Sequence, residues 1–336
     1  MSQVRFFTCL IVFLVAVSAT VAMAQSSSSD GFKVDARPLP SDFSGNLITL
    51  TPITLHGDTL RLFSDTGGGG NMIYSEVAHR LDLALFEEID VPVPGQDDPV
   101  MATRLPVFQP AHAIPDPTLL PPTSWQFMVV EPPYDFLESD GFLGRTWFAG
   151  RVWLFDYPEE KIGKVFGLDE SALPDTHRVT LGFITVDGLR TMHFPRIAIE
   201  VEGEKLEMLL DTGATTILSD EARDVLPGAG SGKQGTSFIV ESVFEAWREN
   251  NPDWQIIEDG DKVLDMPMIE VPKVTIAGHT VGPVWFTMRP DLNFHEHMSQ
   301  MMGRRIDGAV GESALKYFRM IVDYPNAWAA FGVTEK

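Results

Sequence analysis

Apolar and polar residues alternate along two stretches of the chain that can be aligned with each other. Residues Ile53–Gly67 align without a gap with Ile199–Gly213, at an offset of 146. In both stretches the apolar positions flank a central glycine, Gly57 or Gly203, and the second run leads directly into Asp-Thr-Gly. A period of two on either side of a glycine is typical of a β-hairpin. The sequence therefore predicts the same hairpin twice.

A second pair of matching blocks follows the two hairpins. Asp140–Gly144 matches Asp307–Gly311, and Leu154–Pro158 matches Ile321–Pro325, both at an offset of 167. The second half therefore holds a net 21 more residues between its blocks than the first half. Two matched blocks in the same order indicate a duplicated unit.

Short apolar runs separated by turn-forming residues fill much of the rest, as at Ile269–Val274, and predict further strands. One helix is predicted, because apolar residues recur at helical spacing from Val240 to Trp247, before Pro252. We expect a helical insertion near residues 237–255 that supplies most of the extra length. Two positions are open for this helix: over a cleft, or on the outside of its lobe.

The duplication predicts a mainly β protein of two related, β-barrel-like lobes with a cleft between them. The first lobe is expected to span residues 46–170 and the second residues 176–336. Residues 25–45 begin with a Ser-rich stretch and are expected to form a flexible segment. The Pro-rich tract Val91–Pro99 is expected to form a turn between two strands.

The first residues are typical of a leader sequence. Arg5 precedes an apolar run that closes with Ala22-Met23-Ala24, which predicts a signal peptide over residues 1–24. The alternative is an uncleaved anchor, since about 20 apolar residues can span a bilayer. Cleavage implies a secreted or periplasmic protein without stable membrane insertion. The single cysteine, Cys9, lies in the leader, so the mature chain is expected to use no thiol nucleophile.

The composition is strongly acidic. Lys and Arg total 25 against 47 Asp and Glu, which gives a formal net charge of −22 at pH 7. Nucleic acids and anionic membrane surfaces are poor partners for such a field. An acidic balance usually supports solubility, and the alternative is a protein that works below neutral pH.

Asp65 and Asp211, which begin the two Asp-Thr-Gly turns, are the candidate catalytic residues. A pseudo-twofold that superposes the lobes would bring both carboxylates into one cleft. Two like charges at short distance cannot both ionise cheaply, so the pair would share one proton. One carboxylate could then activate a water while its protonated partner polarises a scissile carbonyl, with no metal or cofactor.

The other residues of the turns are candidate supports for the catalytic loops. Gly67 and Gly213 allow the backbone to turn tightly and to aim N–H groups at the carboxylates. Thr66 and Thr212 can form hydroxyl-to-backbone bonds that lock the two loops together.

These motifs resemble the aspartic peptidase superfamily, in both its pepsin-like and retropepsin-like branches. The resemblance rests on the two Asp-Thr-Gly turns, on the apolar-apolar-Gly segments Phe142–Gly144 and Ala309–Gly311, and on the strands that end in Asp-Tyr-Pro. It covers roughly residues 46–333. It implies a bilobal β fold, extended peptide substrates, and Asp65 and Asp211 as the dyad of a monomer.

Some residues depart from the family pattern. Gly68 and Ala214 stand where pepsin-like enzymes usually have a Ser or Thr that hydrogen-bonds the carboxylate, and Ala214 looks more retropepsin-like. The family's flap, the hairpin that closes over the substrate, usually carries a tyrosine. The candidate flap at Val91–Arg104 has no aromatic residue, so Phe108 or Trp125 would have to replace it.

The sequence thus predicts an aspartic endopeptidase acting on peptides or proteins. The alternative is a catalytically quiet member of the same fold that binds peptides or proteins in its cleft. A metal site at His295-Glu-His297 is not predicted, because two His at i and i+2 face the same way only on a strand and no third ligand stands out. Substrate-binding residues remain unassigned.

Overall fold

The computed structural model describes residues 34–89, 100–117, 126–132, 138–169, 173, 177–226 and 232–333. The predicted signal peptide, the Pro-rich tract Val91–Pro99 and Trp125 lie outside the described residues. In the part of the chain that is described, no helix has the length and apolar character needed to cross a membrane.

The first half of the chain folds mostly into short strands and two short helices. The strands are Val34–Pro38 (β1), Ser41–Ser44 (β2), Leu47–Leu50 (β3), Leu62–Ser64 (β4), Met72–Tyr74 (β5), Glu87–Ile89 (β6), Val100–Thr103 (β7), Phe127–Val130 (β8), Gly141–Leu143 (β9), Val152–Asp156 (β10) and Lys161–Leu168 (β11). The α-helices are Ser75–Arg80 (α1) and Arg145–Phe148 (α2), and Pro110–His112 forms a 3₁₀ turn.

The second half has the same character with more elements. Its strands are Arg178–Thr180 (β12), Thr185–Val186 (β13), Leu189–Arg190 (β14), Arg196–Val201 (β15), Glu204–Leu210 (β16), Thr215–Ile217 (β17), Lys233–Gly235 (β18), Ser237–Val240 (β19), Ile256–Asp261 (β20), Met266–Val271 (β21), Val274–Ile276 (β22), His279–Val281 (β23), Val284–Arg289 (β24), Gly308–Val310 (β25), Phe318–Asp323 (β26) and Trp328–Val333 (β27). Its helices are Asp220–Val225 (α3), Glu241–Asn250 (α4), Ser299–Met302 (α5) and Glu312–Leu315 (α6), with a π-helix at Leu292–Met298.

Each half builds its own sheet, and seven strands have the same order in both, from β3 to β6 in the first and from β15 to β20 in the second. The first is β2-β3-β4-β9-β5-β8-β7-β6, and the second, read from its other edge, is β23-β22-β15-β16-β25-β19-β24-β21-β20. In both, the strand before Asp-Thr-Gly runs parallel to a later strand, β9 or β25. The predicted mainly β fold with two related lobes is confirmed. In the described residues both sheets are open, so the expected barrel-like closure is not seen.

A third sheet joins the two halves. Its order is β1-β11-β10-β26-β27-β12, with β10 from the first half beside β26 from the second. In this antiparallel pair, Leu154 lies opposite Ile321. These residues are separated by the 167-residue offset of the repeat. The pseudo-twofold axis of the molecule therefore passes between two equivalent residues in the shared sheet.

The predicted hairpin is regular in the second half. Ile197, Ile199 and Val201 of β15 are buried and alternate with more exposed residues. The turn to β16 places Gly203 at φ +81°, a conformation that favours glycine. In the first half the hairpin is less regular, because β4 pairs with β3 and the residues around Gly57 form an isolated bridge between Ile53 and Thr59. The alternation pattern thus predicted that both hairpins exist, but it did not predict that the first is less regular than the second.

The predicted flexible segment is partly wrong. Within residues 25–45, Val34–Pro38 pairs with β11 and Ser41–Ser44 pairs with β3. The physical reason is that these residues provide backbone partners to two sheets, and Leu39 between them is buried. The Ser-rich composition ends before this stretch and does not describe it.

The predicted helix is present as α4, but it is not the insertion. Phe244 and Trp247 are buried, and the Trp247 ring lies 5.3 Å from that of Phe286 on β24. The helix packs on its sheet directly after β19, as α1 follows β5 in the first half. It therefore lies on the outside of its lobe.

The register of the sheets locates the extra residues instead. Met72 pairs with Phe142, and Phe238 pairs with Ala309, the repeat equivalent of Phe142. Met72 lies 7 residues after Asp65, whereas Phe238 lies 27 residues after Asp211. The extra length is therefore the segment of β17, α3 and β18, which precedes the helix. The expectation that α4 supplied it is wrong.

Candidate active site

The two Asp-Thr-Gly turns meet between the lobes. The Asp65 N–H donates to the Leu143 carbonyl at 3.0 Å, and the Asp211 N–H donates to the Val310 carbonyl at 2.9 Å. Each aspartate is thus held at the end of a parallel strand pair by the later apolar-apolar-Gly segment. The two carboxyl groups lie close enough for each to shift the pKa of the other.

The threonines tie the two turns together with symmetric hydrogen bonds. The Thr66 hydroxyl donates to the Leu210 carbonyl at 2.7 Å and accepts from the Thr212 N–H at 3.0 Å. The Thr212 hydroxyl donates to the Ser64 carbonyl at 3.3 Å and accepts from the Thr66 N–H at 3.1 Å. Both threonines are buried. This interlock fixes the distance between the loops that carry the carboxyls.

The glycines of the turns permit close approach. The Gly67 N–H donates to Asp65 Oδ1 at 2.7 Å, and the Gly213 N–H donates to Asp211 Oδ1 at 2.9 Å. A Cβ atom at Gly67 would lie 2.5 Å from Asp211 Cγ, and one at Gly213 would overlap the Asp65 carboxyl. Any larger residue at either position would push the two carboxyls apart.

Burial raises the pKa values of both aspartates, and like charge adds to the rise at Asp65. Asp211 is buried and Asp65 is partly exposed toward the cleft. Burial raises the pKa of Asp65 well above its ordinary value, and the charge of Asp211 raises it further. Burial also raises the pKa of Asp211, against the backbone N–H groups that lower it. A proton is therefore retained on the pair at pH values where isolated carboxyls are ionised.

The residues after the two turns give the carboxyls no hydroxyl partner. A Cβ atom at Gly68 would overlap the Phe142 ring, which occupies the space a Ser or Thr would need. Ala214 is buried and has no polar side-chain atom. At Gly68 the absence of a hydroxyl side chain therefore follows from packing.

The aspartates line a cavity of about 400 Å³ between the lobes. Phe63 and Phe142 line it from the first half, and residues from the second half include Ile217 and Phe238. Phe108, one of the two candidates for the flap aromatic, is buried in the first-lobe core and bridges to Thr54, and it does not line this cavity. The other candidate, Trp125, lies outside the described residues.

A third carboxyl group lies beside the aspartates. Glu312, directly after Gly311, is fully buried and accepts a hydrogen bond from the Tyr157 hydroxyl at 3.2 Å. Burial raises the pKa of Glu312 well above its ordinary value, and the charges of Asp211 and Asp65 raise it further. A buried carboxyl group that was not predicted therefore lies next to the predicted pair.

Two tyrosines related by the repeat lie near these carboxyl groups. Tyr157 and Tyr324 are the central residues of the two Asp-Tyr-Pro motifs, and both are buried. Burial raises the pKa of the Tyr324 phenol, and the charge of Asp65 raises it further. These motifs were visible in the sequence, but their repetition alone did not show that they approach the aspartates. Glu312 had no repeat signal, since Arg145 stands at the equivalent position.

The His295-Glu-His297 segment lies in the π-helix. His295 Nε2 is 3.3 Å from Asp307 Oδ1, and its Nδ1 is 3.7 Å from Asp291 Oδ2. Within the described ranges, no group of three or more His, Cys, Asp or Glu side chains is placed to hold a metal ion. His295 is therefore best described as a partner of two carboxylates.

The chain is similar to known proteins in structure but not in sequence. No protein-family model matches the chain, and no curated protein matches its sequence. Among solved structures, the chain is similar to an aspartic proteinase from Irpex lacteus, with 10% sequence identity and a TM-score of 0.49. The similarity covers 89% of this chain and 98% of that chain. A likeness at this level assigns no function, which has to come from the geometry of the site.

Proposed function

We propose that the protein is an aspartic endopeptidase that hydrolyses peptide bonds through a water activated by Asp65 and Asp211. One observation carries the proposal: two neighbouring carboxyls stand on interlocked, equivalent loops at the wall of a cavity between the lobes. Structural ion pairs also perturb pKa values, but two neighbouring acids whose pKa values are both raised by burial are costly to keep for stability alone.

The chemistry follows from one shared proton. The ionised member of the pair takes a proton from water, and the resulting hydroxide attacks the carbonyl carbon of the peptide. The protonated member donates its proton to the carbonyl oxygen as the tetrahedral intermediate forms. The proton taken from water then passes to the leaving amine as the C–N bond breaks. A hydroxyl group of the intermediate returns its proton to the aspartates as the carboxylic acid product forms, which restores the shared proton. Thr66, Thr212, Gly67 and Gly213 act as supports that hold the carboxyls in place.

The decisive experiment is a peptide-library digest from pH 3 to pH 8 with the unmutated chain, Asp65→Asn and Asp211→Asn. We expect each substitution to lower activity by about 10²-fold or more, because general acid–base catalysis contributes on that order. Activity of the unmutated chain should extend above pH 3.8, the ordinary Asp pKa, because the pKa values of both aspartates are raised. Three equally active folded proteins would rule out the mechanism.

A quiet peptide- or protein-binding protein is the second candidate. Gly68 and Ala214 favour it, because they deprive the carboxyls of hydroxyl donors. Absence of hydrolysis by the unmutated chain at every pH, together with retained peptide binding, would select it. A monomeric state belongs to the main proposal, since a single chain supplies both aspartates. Retropepsin-like character also belongs to it and is supported by Ala214.

Export is also proposed. It is supported by the apolar run from Phe6 to Ala24 and the small residues at its end. Mass spectrometry of the protein isolated from its natural host tests this, and a chain that begins at Gln25 is the expected result. A chain that retains the leader in the membrane fraction would favour the anchor instead.

A further inference from the structure

The turn between β20 and β21 contributes two apolar side chains to the wall of the cleft. Val263 and Leu264 line the same cavity as Asp65 and Asp211. They nevertheless remain 53% and 47% exposed. Single exposed apolar residues are common on protein surfaces. Two neighbours at the tip of a hairpin, facing a cavity with two carboxyls, instead indicate a surface that a ligand covers.

This hairpin belongs to the duplicated unit. β21 pairs with β24, which runs parallel to β19, just as β7 pairs with β8, which runs parallel to β5. The β20–β21 hairpin is therefore the second-half counterpart of the β6–β7 hairpin, the predicted flap region. The second lobe thus has a hairpin at the position equivalent to the predicted flap of the first lobe.

The base of the hairpin is firmly anchored. Asp261 Oδ2 pairs with the Arg289 guanidinium at 2.9 Å, and both side chains are buried. Asp261 Oδ1 accepts the Val263 N–H at 3.0 Å, and the Lys262 N–H donates to the Ile217 carbonyl at 2.8 Å. Ile217 ends β17, the strand that follows the second Asp-Thr-Gly turn. The tip is therefore held at a fixed place relative to Asp211.

Apart from Asp65 and Asp211, the described residues that line the cavity are uncharged or, as at Asp261 and Arg289, paired. Ile217 and Phe238 line it from the second lobe, and Phe142 lines it from the first. Arg289 also lines it, but its charge is paired with Asp261 and its guanidinium lies 4.1 Å from the Phe238 ring centre. Such a wall fits an uncharged, apolar side chain and disfavours a charged one.

We propose that the β20–β21 turn covers bound substrate, and that Val263 and Leu264 form a subsite for an apolar side chain of an extended peptide. The peptide nature of the ligand rests on the proposed function. The subsite itself rests on the cavity, the exposed tip and its anchor. Removing both aliphatic side chains should weaken binding of an apolar peptide about tenfold or more, by the loss of their apolar contacts.

The test compares two double variants in the Asp65→Asn chain, which should bind peptide without cleaving it. One is Val263→Ser with Leu264→Ser. The matched control is Val186→Ser with Leu189→Ser at the β13–β14 tip, where both residues are exposed but do not line the cavity. The probes are a fluorescein-labelled octapeptide with Leu and Phe at its four central positions, and a second octapeptide with Ser and Gln there. Binding is followed by fluorescence anisotropy, and folding by circular dichroism.

We expect the Kd for the apolar octapeptide to rise about tenfold or more in the Val263/Leu264 variant and to stay unchanged in the control. Equal Kd values in both variants would overturn the subsite, as would absence of binding to the Asp65→Asn chain. Hydrolysis by the unmutated chain is measured in parallel. If the Val263/Leu264 variant binds the apolar octapeptide more weakly but the unmutated chain hydrolyses no peptide, the subsite is supported and the peptidase proposal is rejected. If the unmutated chain hydrolyses peptides but the Val263/Leu264 variant binds as tightly as the control, the peptidase proposal is supported and the subsite is rejected.

Discussion

Glu312 is a buried acid that the fold keeps next to two others. Its Oε1 accepts the Tyr157 hydroxyl, whereas its Oε2 has no hydrogen-bond partner among the described residues. Because burial raises the pKa of Glu312, the folded protein binds the proton more tightly than the unfolded chain does. Stability is therefore lost as the pH rises above the ordinary Glu pKa of about 4.3. Keeping Glu312 buried beside the two aspartates therefore lowers the stability of the protein at neutral pH.

Glu312→Gln should make the protein more stable at pH 8 and leave stability at pH 4 nearly unchanged. The amide cannot ionise, and its oxygen can still accept the Tyr157 hydroxyl. We expect a gain in the free energy of unfolding of about 1 kcal/mol or more at pH 8, since one pKa unit corresponds to ~1.4 kcal/mol. Urea unfolding at several pH values measures it.

The exposed Glu204 provides the matched control. Glu204→Gln removes the same charge from the chain without touching the buried group, so little change is expected at either pH. An equal gain in both variants would assign the effect to overall charge. A loss of stability in Glu312→Gln at pH 8 would show that Glu312 is ionised in the folded protein.

The inserted segment of β17, α3 and β18 connects the two lobes through hydrogen bonds to the β2–β3 turn. The Gly235 N–H donates to the Gly45 carbonyl at 2.8 Å, and the Gln234 side chain donates to the same carbonyl at 3.0 Å. Gly45 itself has φ +57° in the β2–β3 turn. A Cβ atom there would lie 2.5 Å from the Lys233 carbonyl oxygen. The insertion therefore docks on a turn that only glycine fits.

Gly45→Ala should destabilise the protein more than Gly188→Ala. Both glycines have positive φ, but a Cβ atom at Gly188 would contact nothing within 4 Å. The control therefore carries only the backbone cost of about 1 kcal/mol. Gly45→Ala should lose about 1–3 kcal/mol more, because the clash separates the insertion from the turn. Equilibrium urea unfolding checks this, and equal losses would mean that the docking contributes no stability.

Local patterns predicted elements but not the contacts between them. The hairpin ending at Asp211 and the helix at Val240–Trp247 were predictable because alternation and helical spacing arise from burial of one face. The insertion was misplaced because its position depends on strand register, which pairs Phe238 with a residue far along the chain. Glu312 was missed for a related reason, since its partner Tyr157 is 155 residues away. The two aspartates could be placed together because a twofold relation between the duplicated halves brings equivalent residues together even when they are far apart in the chain.

At the scale of the whole molecule, the shared sheet makes the two halves one structure. Asp156 on β10 and Arg319 on β26 lie opposite each other in the register. Their side chains form an ion pair of 3.2 Å, and both residues are buried. Burial raises the pKa of Asp156, and the charge of Arg319 opposes that rise. Each charge is therefore tolerated inside the protein because the other half supplies its partner.

Arg319→Met should weaken both lobes together. Removing one partner of a buried pair leaves an uncompensated charge and typically costs about 3–5 kcal/mol. The double variant Asp156→Asn with Arg319→Met should recover much of this loss, because no buried charge remains. The penalty of the single variant should also shrink in acid, where Asp156 is protonated.

Hydrogen exchange distinguishes a loss of stability in both lobes from a loss confined to one lobe. If the six-stranded sheet couples the halves, exchange in Arg319→Met accelerates both in β4 and β9 of the first sheet and in β16 and β25 of the second. Acceleration confined to the second sheet would mean that the lobes unfold independently. The aspartates stand on loops that belong to different lobes, so coupled unfolding would also mean that the dyad exists only while the shared sheet is intact.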